Sequence, residues 1–462
     1  MRNSLFTIIT CFCAFISYSQ NSQSYKLQAG YKHTSFLCSD GTVSLVGIND
    51  YGQCGNGTND KVSNPFELYS LGKVISIAAG SNHTLFLKQD GTVWGTGFNS
   101  DGELGNDATI SKLTPVQVIG MTNITQIFAG PTTSFFVKNN DSVWASGDNA
   151  NMQMGDGTTG KYRLAKNLQQ LRGIKSICGG LFHSVFLKND GTVWSCGANG
   201  EGQCGDGTNV TKYWIEKLNG INGVSAIGAG HRHSLYLKND GSVWSAGDNQ
   251  RGQLGIGTNI KSTNPTKVNS LSNVIAISGG AYHSLFLKSD GTVWASGANE
   301  FGQLGDGTTE DSKVPVKVED IDEVIGIAAG NYFSTFLKSD GTVWGVGSNA
   351  GNAMGDGVTG QSTTPFQINF CSSVSSNVSN LIKEHGIDFM FDIELNSLKL
   401  ESKESSIRQI NVYNSIGDLM NVSSSNINKS TYTIDFSFLK KGLYIIFIQT
   451  NIGVTNRKII IN

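Results

Sequence analysis

A fifty-residue repeat constrains this chain more than any other feature of its sequence. Glycine returns every fifty residues, without insertion or deletion, seven times in each of three series. The series are Gly30, Gly80, Gly130, Gly180, Gly230, Gly280 and Gly330; Gly47, Gly97, Gly147, Gly197, Gly247, Gly297 and Gly347; and Gly55, Gly105, Gly155, Gly205, Gly255, Gly305 and Gly355. Self-similarity at a fixed period of this size indicates a repeat architecture and overrides the several-domain expectation that length alone would give.

Each unit is expected to form four β-strands joined in chain order. In the second unit the predicted strands are the apolar runs 74–79, 84–88 and 93–94 and the short run 115–118. Asp90-Gly91 is typical of a tight hairpin turn, and residues 99–109 form a Gly- and Asn-rich loop. A sheet with two apolar faces is not stable alone, so radial stacking of seven such sheets is favoured. The pattern predicts a closed seven-bladed β-propeller.

Composition excludes several other classes of protein. The 57 glycines come with only 6 prolines, which excludes collagen, and a hydrophobic fraction of 38% argues against wholesale disorder. A net charge of −2 offers no overall field for a phosphate backbone, so nucleic acid is disfavoured as a partner. Beyond the N-terminal region no run reaches eighteen apolar residues, so we expect no membrane span. We also expect the protein to be a monomer.

The N-terminal region is typical of a secretory signal peptide. A basic start is followed by the apolar run 5–16 and by Ser17-Tyr18-Ser19, which predicts a signal peptide over residues 1–19. Two of the eight cysteines would leave with it. The six others are Cys38, Cys54, Cys178, Cys196, Cys204 and Cys371. Their spacing indicates neither a zinc site nor a disulfide framework, although one isolated disulfide is compatible with export.

Candidate catalytic and ligand-binding motifs all fall within the repeat. His33, His83, His183, His233 and His283 recur at one position, which favours a structural role in which each imidazole bonds nearby backbone. Residues 155–162 resemble a phosphate-binding loop but lack the closing Ser or Thr and a following helix. One Asp per Gly-Asp-Gly-Thr loop is too few for calcium. We therefore expect no catalytic residues, no metal, no cofactor and no enzymatic activity.

The residues that vary between units give the candidate binding site. In such a blade the turn after the first strand and the long Asn-to-Pro loop lie on one face of the disc. Aromatic and basic side chains, the usual anchors of protein interfaces, are frequent there. The candidates are Tyr31, Lys32, Phe182, His231, Arg232, Tyr282 and Tyr332 in the turns, and Tyr213 and Trp214 in the fourth long loop. The alternative is that some of these rings line the central channel.

Residues 77–87 and 297–308 resemble the repeats of the regulator of chromosome condensation, a family of seven-bladed propellers. The resemblance covers residues 24–368. The departures from the family pattern are Thr133 and Phe333 for His, Asp141, Met152 and Asn352 for Gly, and Ser44 for Trp. The resemblance implies a partner-binding face. Its other implication, guanine-nucleotide exchange, is disfavoured because export separates the chain from cytosolic GTPases and no exchange residues match.

The period stops after residue 368, and the end of the chain is expected to form a separate small β-sandwich. Residues 386–462 resemble the C-terminal sorting domain of type IX secretion cargo, although the usual opening Pro-Asn-Pro is absent. The residues that carry this resemblance, and hence the predicted sorting signal, are Tyr413, Gly417, Asp435, Gly442, Tyr444 and Lys458. An ordinary adhesive sandwich is the alternative. Type IX secretion machinery is thus an expected partner.

These features predict an all-β chain composed of a seven-bladed β-propeller over residues 20–368, a linker over 369–385 and a sorting β-sandwich over 386–462. The predicted protein is secreted or held at the outer cell surface after passing through the periplasm. It binds a macromolecular partner, a protein or a glycan, through one face of the propeller. Inhibition of a secreted enzyme is a special case of that function.

Overall fold

The structure is a computed structural model of the 462-residue chain. It describes residues 26–368 apart from 39–40, 69 and 356–359, together with residue 370 and the strands between residues 387 and 461. The predicted signal peptide, nearly all of the predicted linker and Gly417 lie outside the described residues. The chain divides into two compact units, Met1–Cys371 and Ser372–Asn462.

The first unit is a seven-bladed β-propeller, as predicted. Each blade is a four-stranded antiparallel sheet whose strands are hydrogen-bonded in chain order. The strands are β1 (Lys26–Ala29), β2 (His33–Leu37), β3 (Val43–Gly47) and β4 (Val62–Leu68) in blade 1; β5 (Val74–Ala79), β6 (His83–Lys88), β7 (Val93–Gly97) and β8 (Lys112–Gln117) in blade 2; β9 (Ile124–Ala129), β10 (Thr133–Lys138), β11 (Val143–Asp148) and β12 (Lys161–Asn167) in blade 3; β13 (Ile174–Gly179), β14 (His183–Lys188), β15 (Val193–Gly197) and β16 (Lys212–Lys217) in blade 4; β17 (Val224–Ala229), β18 (His233–Lys238), β19 (Val243–Gly247) and β20 (Ser262–Lys267) in blade 5; β21 (Val274–Gly279), β22 (His283–Lys288), β23 (Val293–Gly297) and β24 (Ser312–Lys317) in blade 6; and β25 (Val324–Ala329), β26 (Phe333–Lys338), β27 (Val343–Ser348) and β28 (Gln361–Ile368) in blade 7.

The outer strand is longer than the sequence indicates. The predicted outer strand of the second unit starts at Pro115, whereas β8 starts at Lys112 and includes that proline. Proline is tolerated there because the outer strand is an edge and need not donate to a further neighbour. A register shift between Gly95 and Gly97 adjusts the pairing of β7 with β8.

The departures from glycine in the repeat keep the backbone conformation that glycine supplies elsewhere. Asp141 has φ 63°, close to φ 77° at Gly91 in the equivalent hairpin of blade 2. Met152 and Asn352 are also left-handed, with φ 60° and 53°. Left-handed backbone is costly for residues other than glycine, so the neighbouring structure imposes it at these positions.

The apolar core lies between adjacent blades, where both faces of each middle strand are covered. In β18, for example, Leu235, Tyr236 and Leu237 are all buried, and Phe286 of the next blade joins the same cluster. The repeated tryptophans are half-buried beside these clusters. Trp194 donates its Nε1–H to Thr192 Oγ1 at 3.1 Å, and Lys188 Nζ lies 4.2 Å from its ring centroid.

The second unit contains two four-stranded antiparallel sheets, ordered β29-β30-β34-β33 and β32-β31-β35-β36. Their strands are β29 (Ile387–Asp392), β30 (Ser397–Ser402), β31 (Ile407–Asn414), β32 (Leu419–Met420), β33 (Ser423–Asn428), β34 (Thr431–Asp435), β35 (Gly442–Thr450) and β36 (Val454–Ile461). Of the predicted sorting residues, Tyr413 lies in β31, Asp435 in β34, Gly442 and Tyr444 in β35, and Lys458 in β36. The packing of the two sheets into a β-sandwich stays a prediction.

Candidate partner-binding face at the channel mouth

The seven inner strands surround a narrow central channel. It encloses about 200 Å³ and is lined largely by glycine, alanine and backbone, for example Gly80, Ala129 and Gly230. Small side chains are required here because seven strands converge on one axis. A space of this size holds a few water molecules. A macromolecule must therefore bind outside the channel, at a mouth or on a face.

Backbone hydrogen bonds tie the blades together around one mouth, at the turn that follows each inner strand. The bonds are Tyr31 N–Ser81 O at 3.1 Å, Ser81 N–Pro131 O at 3.0 Å, Leu181 N–His231 O at 3.0 Å, His231 N–Ala281 O at 3.3 Å, Ala281 N–Gly330 O at 3.3 Å and Asn331 N–Tyr31 O at 3.4 Å. The step from blade 3 to blade 4 lacks this bond because Pro131 has no N–H. This belt fixes the backbone that carries the candidate turn residues.

Five aromatic side chains meet at this mouth, and we call them the ring cluster: Tyr31, His231, Tyr282, Tyr332 and Phe301. Tyr31 and His231 reach towards each other from blades 1 and 5, with ring centroids 6.4 Å apart and nearly parallel planes. His231 meets Tyr282 edge to face at 5.4 Å. Tyr282 stacks with Tyr332 at 6.0 Å, and Tyr332 meets Phe301 at 5.0 Å. The contacts run unbroken from blade 1 across to blades 5, 6 and 7.

The ring cluster belongs partly to the channel and partly to the face. Tyr31 and His231 are among the residues that line the channel, whereas Tyr282, Tyr332 and Phe301 are not. Tyr31 is nevertheless 37% exposed. The channel-lining alternative therefore holds for Tyr31 and His231, and partner binding stays a prediction for all of the rings.

Two basic side chains, Lys32 and Arg232, lie beside the ring cluster, and the one titratable imidazole within the ring cluster, His231, is uncharged. Burial, and then the charge of Arg232, lower the pKa of His231 to about 4, so this imidazole is neutral at physiological pH. Lys32 Nζ lies 5.6 Å from the Tyr31 ring centroid, and Arg232 is exposed. These features suit recognition through aromatic contact and positive charge.

A fixed ion pair borders the ring cluster on blades 5 and 6. The Arg251 guanidinium donates to both carboxylate oxygens of Asp311 and lies 3.3 Å from Glu300 Oε2. The hydrogen bonds that Arg251 donates to Asp311 are the main reason that the pKa of Arg251 is raised. Bidentate pairing of this kind holds both side chains in one geometry.

The structure brings some of the predicted binding residues together and separates others. Tyr31, Lys32, His231, Tyr282 and Tyr332 join in or beside the ring cluster, and Arg232 follows His231 in the chain. Phe182 is half-buried on blade 4 and takes part in none of these ring contacts.

The placement of Tyr213 and Trp214 in a loop is wrong. Both lie in the outer strand β16, and each is 51% exposed. The strand starts earlier than predicted because Tyr213 O accepts a hydrogen bond from Gly157 N of blade 3 at 2.9 Å. Trp214 pairs with Asp156 across the same seam and lies against Gly157. These two side chains form a separate patch on the outer rim.

Sequence reasoning missed Phe301 and Arg251. They occupy one position of the repeat, where the other units have Tyr51, Asp101, Asn151, Glu201 and Gly351. The wide variation at this position was a usable signal, because it lies in the long loop on the same face as the candidate turns.

The recurring histidines link neighbouring blades through hydroxyl groups rather than through backbone. The Nε2 atoms of His83, His183, His233 and His283 lie 2.9–3.0 Å from serine Oγ atoms of the next blade, and that of His33 lies 3.1 Å from Thr84 Oγ1. In blade 5, Ser234 Oγ already donates to Gln203 O at 2.7 Å, so the histidine must donate its Nε2–H. A serine nucleophile would instead donate to histidine. The histidine and the hydroxyl residue of each pair are fully buried, so these hydrogen bonds have a structural role.

The loop that resembles a phosphate-binding motif is also structural. Asn149 Nδ2 donates to Asp156 Oδ1 at 3.0 Å, and Lys166 Nζ lies 2.6 Å from Asp156 Oδ2. Burial opposes ionisation of Asp156, but hydrogen bonds from Lys166 and Thr158 lower its pKa to about 2. Lys161, the would-be phosphate ligand, pairs with Asp101. In the part of the chain that is described, no group of three or more His, Cys, Asp or Glu side chains is placed to hold a metal ion.

Known structures share the fold of the propeller. Human WBSCR16 is 22% identical with a TM-score of 0.66, and the match covers 71% of this chain and 94% of that one. Prp20p from Saccharomyces cerevisiae, described with its binding properties to Gsp1p and histones, is 21% identical with a TM-score of 0.65, covering 75% of this chain and 87% of Prp20p. No curated protein matches the chain.

Family models match both parts of the chain. The regulator of chromosome condensation (RCC1) repeat matches residues 40–87, 90–137, 190–237, 240–287 and 290–337, which together exceed half of the chain. A secretion system C-terminal sorting domain matches residues 390–462. The sorting domain indicates export by type IX secretion to the cell surface or the extracellular space, and the described residues include no helix able to cross a membrane. The chain belongs to the RCC1 repeat family, as an exported seven-bladed propeller with a C-terminal sorting domain.

Proposed function

We propose that this protein is a non-enzymatic binding protein that holds a macromolecular partner, outside the cell, through the face of the propeller that carries the ring cluster. The observation that carries the proposal is the unbroken series of ring contacts from Tyr31 to Phe301 across the channel mouth. Aromatic anchors at the centre of a rigid surface are typical of the residues that dominate binding energy.

The rigidity of the surface supports the proposal. Tyr31 and His231 are carried by turns whose backbone amides bond the neighbouring blades. Tyr332 O accepts from Ser348 N at 2.8 Å, and Tyr282 O accepts from Ala298 N at 2.8 Å, so these turns are also bonded to the long loops. A surface that is already ordered loses little conformational entropy when a partner binds.

The charges favour a protein partner that presents acidic side chains. Lys32 and Arg232 flank the ring cluster, whereas Glu300 and Asp311 are both paired with Arg251. Arg251 offsets one of these two carboxylate charges, so the five side chains together carry a charge of about +1 and the excess charge beside the ring cluster is positive. Charged groups at the edge of an interface mainly increase the association rate and make it depend on salt.

The test is partner capture from the culture supernatant of the native organism. The immobilised full-length protein is compared with Tyr282→Ala/Tyr332→Ala, and bound proteins are identified by mass spectrometry. We expect the double variant to recover the principal partner at least about tenfold less well, because loss of one anchoring ring typically costs more than 1 kcal/mol.

Ile275→Ala is the matched control. Ile275 is 38% exposed, like Tyr31 at 37%, but it lies at the start of β21, at the opposite end of the inner strand from the ring cluster. We expect this variant to recover the partner like the wild type. Trp214→Ala tests whether the outer-rim patch contributes. Equal recovery of every protein by the wild type and the Tyr282/Tyr332 variant would overturn the proposal.

A further inference from the structure

The seam between the last and first blades closes without a shared strand. Blade 7 consists of β25–β28 and blade 1 of β1–β4, and within the described ranges each sheet takes all four strands from its own repeat. No strand of one blade completes the sheet of the other. The two ends of a chain of seven blades are therefore held at this seam by bonds other than strand pairing.

The non-covalent bonds at this seam are weaker than at most others. Phe333 stands where five blades have histidine, so it cannot donate to Thr34 as His283 donates to Ser334. The backbone bond from Asn331 N to Tyr31 O is 3.4 Å, the longest of the mouth belt. Across this seam Thr34 Oγ1 donates to Ala353 O at 2.6 Å, and an apolar cluster that includes Phe36, Phe333 and Ile368 is buried.

Cys38 lies in this apolar cluster and is disulfide-bonded. It directly follows β2, and its side chain is buried, with 7% exposure. The sequence left one isolated disulfide open, and Cys38 takes part in one. Because strand residues two apart share a face, Cys38 lies on the same side of blade 1 as Phe36.

The other cysteines identify the partner. Cys54, Cys196 and Cys204 are buried thiols, and Cys178 donates its S–H to Ile227 O at 3.3 Å. Cys11 and Cys13 belong to the predicted signal peptide. Cys371 remains, the last residue of the propeller unit. The preceding Phe370 stacks on Phe36, with ring centroids 5.6 Å apart, which brings the end of the propeller chain to the strand that leads to Cys38.

We propose that Cys38 and Cys371 form a disulfide that covalently closes the propeller ring between its last and first blades. An exported protein folds where disulfides persist. The bond forms by thiol–disulfide exchange with an oxidised dithiol carrier protein of the export compartment. The two thiols lose two protons and two electrons as one S–S bond forms, the S–S bond of the carrier breaks, and the carrier leaves as a dithiol.

Peptide mapping tests the pairing. The exported full-length protein is purified without reductant, denatured with iodoacetamide and digested with trypsin and a protease that cleaves before Asp. The second cut, at Asp40, separates Cys38 from Cys54, which share a tryptic peptide. We expect one linked pair containing Cys38 and Cys371, released by reduction, and alkylated thiols at the four other cysteines of the mature chain. Alkylation of Cys38 or Cys371 before reduction, or linkage of Cys38 to another cysteine, would overturn the proposal.

Stability measurements test the role of the bond. Closing a loop of about 330 residues restricts the unfolded chain, so reductant should lower the urea midpoint of the wild type. We expect the urea midpoint of the reduced wild type to equal that of Cys38→Ala/Cys371→Ala. The midpoint of each single variant should equal that of the double variant within error. Reductant should leave the double variant unchanged, whereas Cys54→Ala should keep the response to reductant. A wild-type midpoint that does not respond to reductant would refute a closing bond.

Discussion

The buried histidines make the propeller sensitive to acid. Burial, the largest cause, lowers the pKa of His33 to about 4 and those of His83, His183, His233 and His283 to about 3. The ordinary histidine pKa is about 6.5, so below this pH the histidines of the unfolded chain bind protons, whereas the buried histidines of the folded chain stay neutral. Their contribution to stability is complete above about pH 6.5 and is lost as the pH falls towards the folded values.

The size of the effect follows from these pKa values. Between pH 7.5 and 5.5 each of these five histidines, and also His231 with its pKa of about 4, costs the folded state between about 1 and 2 kcal/mol, and the six together cost about 8 kcal/mol. Glu103 acts in the opposite direction, because burial raises its pKa to about 7 and it takes up a proton when folded. That offsets about 2 kcal/mol over the same interval. We expect a net loss of about 6 kcal/mol in the free energy of unfolding, measured by urea unfolding followed by tryptophan fluorescence.

His283→Phe isolates one of these contributions. The chain itself carries Phe333 at this position in blade 7, so the substitution fits a site of the same shape. Between pH 7.5 and 5.5 we expect the free energy of unfolding of the variant to fall by between about 1 and 2 kcal/mol less than that of the wild type. Ser334→Ala is the control, because it removes the partner of His283 at 3.0 Å and keeps the titrating ring. Equal losses for His283→Phe and the wild type would refute the reasoning.

Three further predictions concern single features of the structure. Glu103→Gln introduces the residue that the repeat has at Gln53 and Gln153, and it should raise the free energy of unfolding by about 3 kcal/mol at pH 8. This gain should shrink as the pH falls through about 7. A gain that is the same at pH 8 and well below pH 7 would contradict a buried carboxylate. Gly97→Ala should destabilise by at least about 2 kcal/mol, because φ there is 102° and a Cβ would overlap Asn82 O, whereas Gly200→Ala, with open space around it, should change the urea midpoint little. Deletion of residues 386–462 should leave the propeller in the periplasm, as shown by cell fractionation; its normal appearance outside the cell would contradict the sorting role.

The fold was predictable because its signals repeat. Seven copies of one glycine pattern specify seven blades, and the departures at Met152 and Asn352 are outweighed by the glycine that the other five copies keep at that position. Local hairpins were equally clear, since the turn at Asp90-Gly91 depends on residues adjacent in sequence. The start of the outer strand was less clear, because Pro115 is excluded from central strands but accepted at an edge.

The candidate site was predictable only in part, because it depends on which turns meet in space. Tyr31 and His231 are two hundred residues apart in sequence, and neither turn carries a local pattern that predicts the 6.4 Å distance between their ring centroids. Phe301 enters the ring cluster from a different loop. The histidine partners were misjudged for the same reason, since each hydroxyl lies on the next blade, 51 residues away.

The seam between blades 3 and 4 is held together differently from its neighbours. Thr133 replaces the linking histidine, and Pro131 cannot donate the belt hydrogen bond. The backbones of these two blades lie in close contact, since a Cβ on Gly179 would overlap the Cα of Gly130. Hydrogen bonds from Gly157 N to Tyr213 O and from Ser184 Oγ to Gln153 O still cross this seam. The polar link between these two blades therefore lies away from the channel mouth, whereas at the other seams it also includes a histidine or a backbone amide at the mouth.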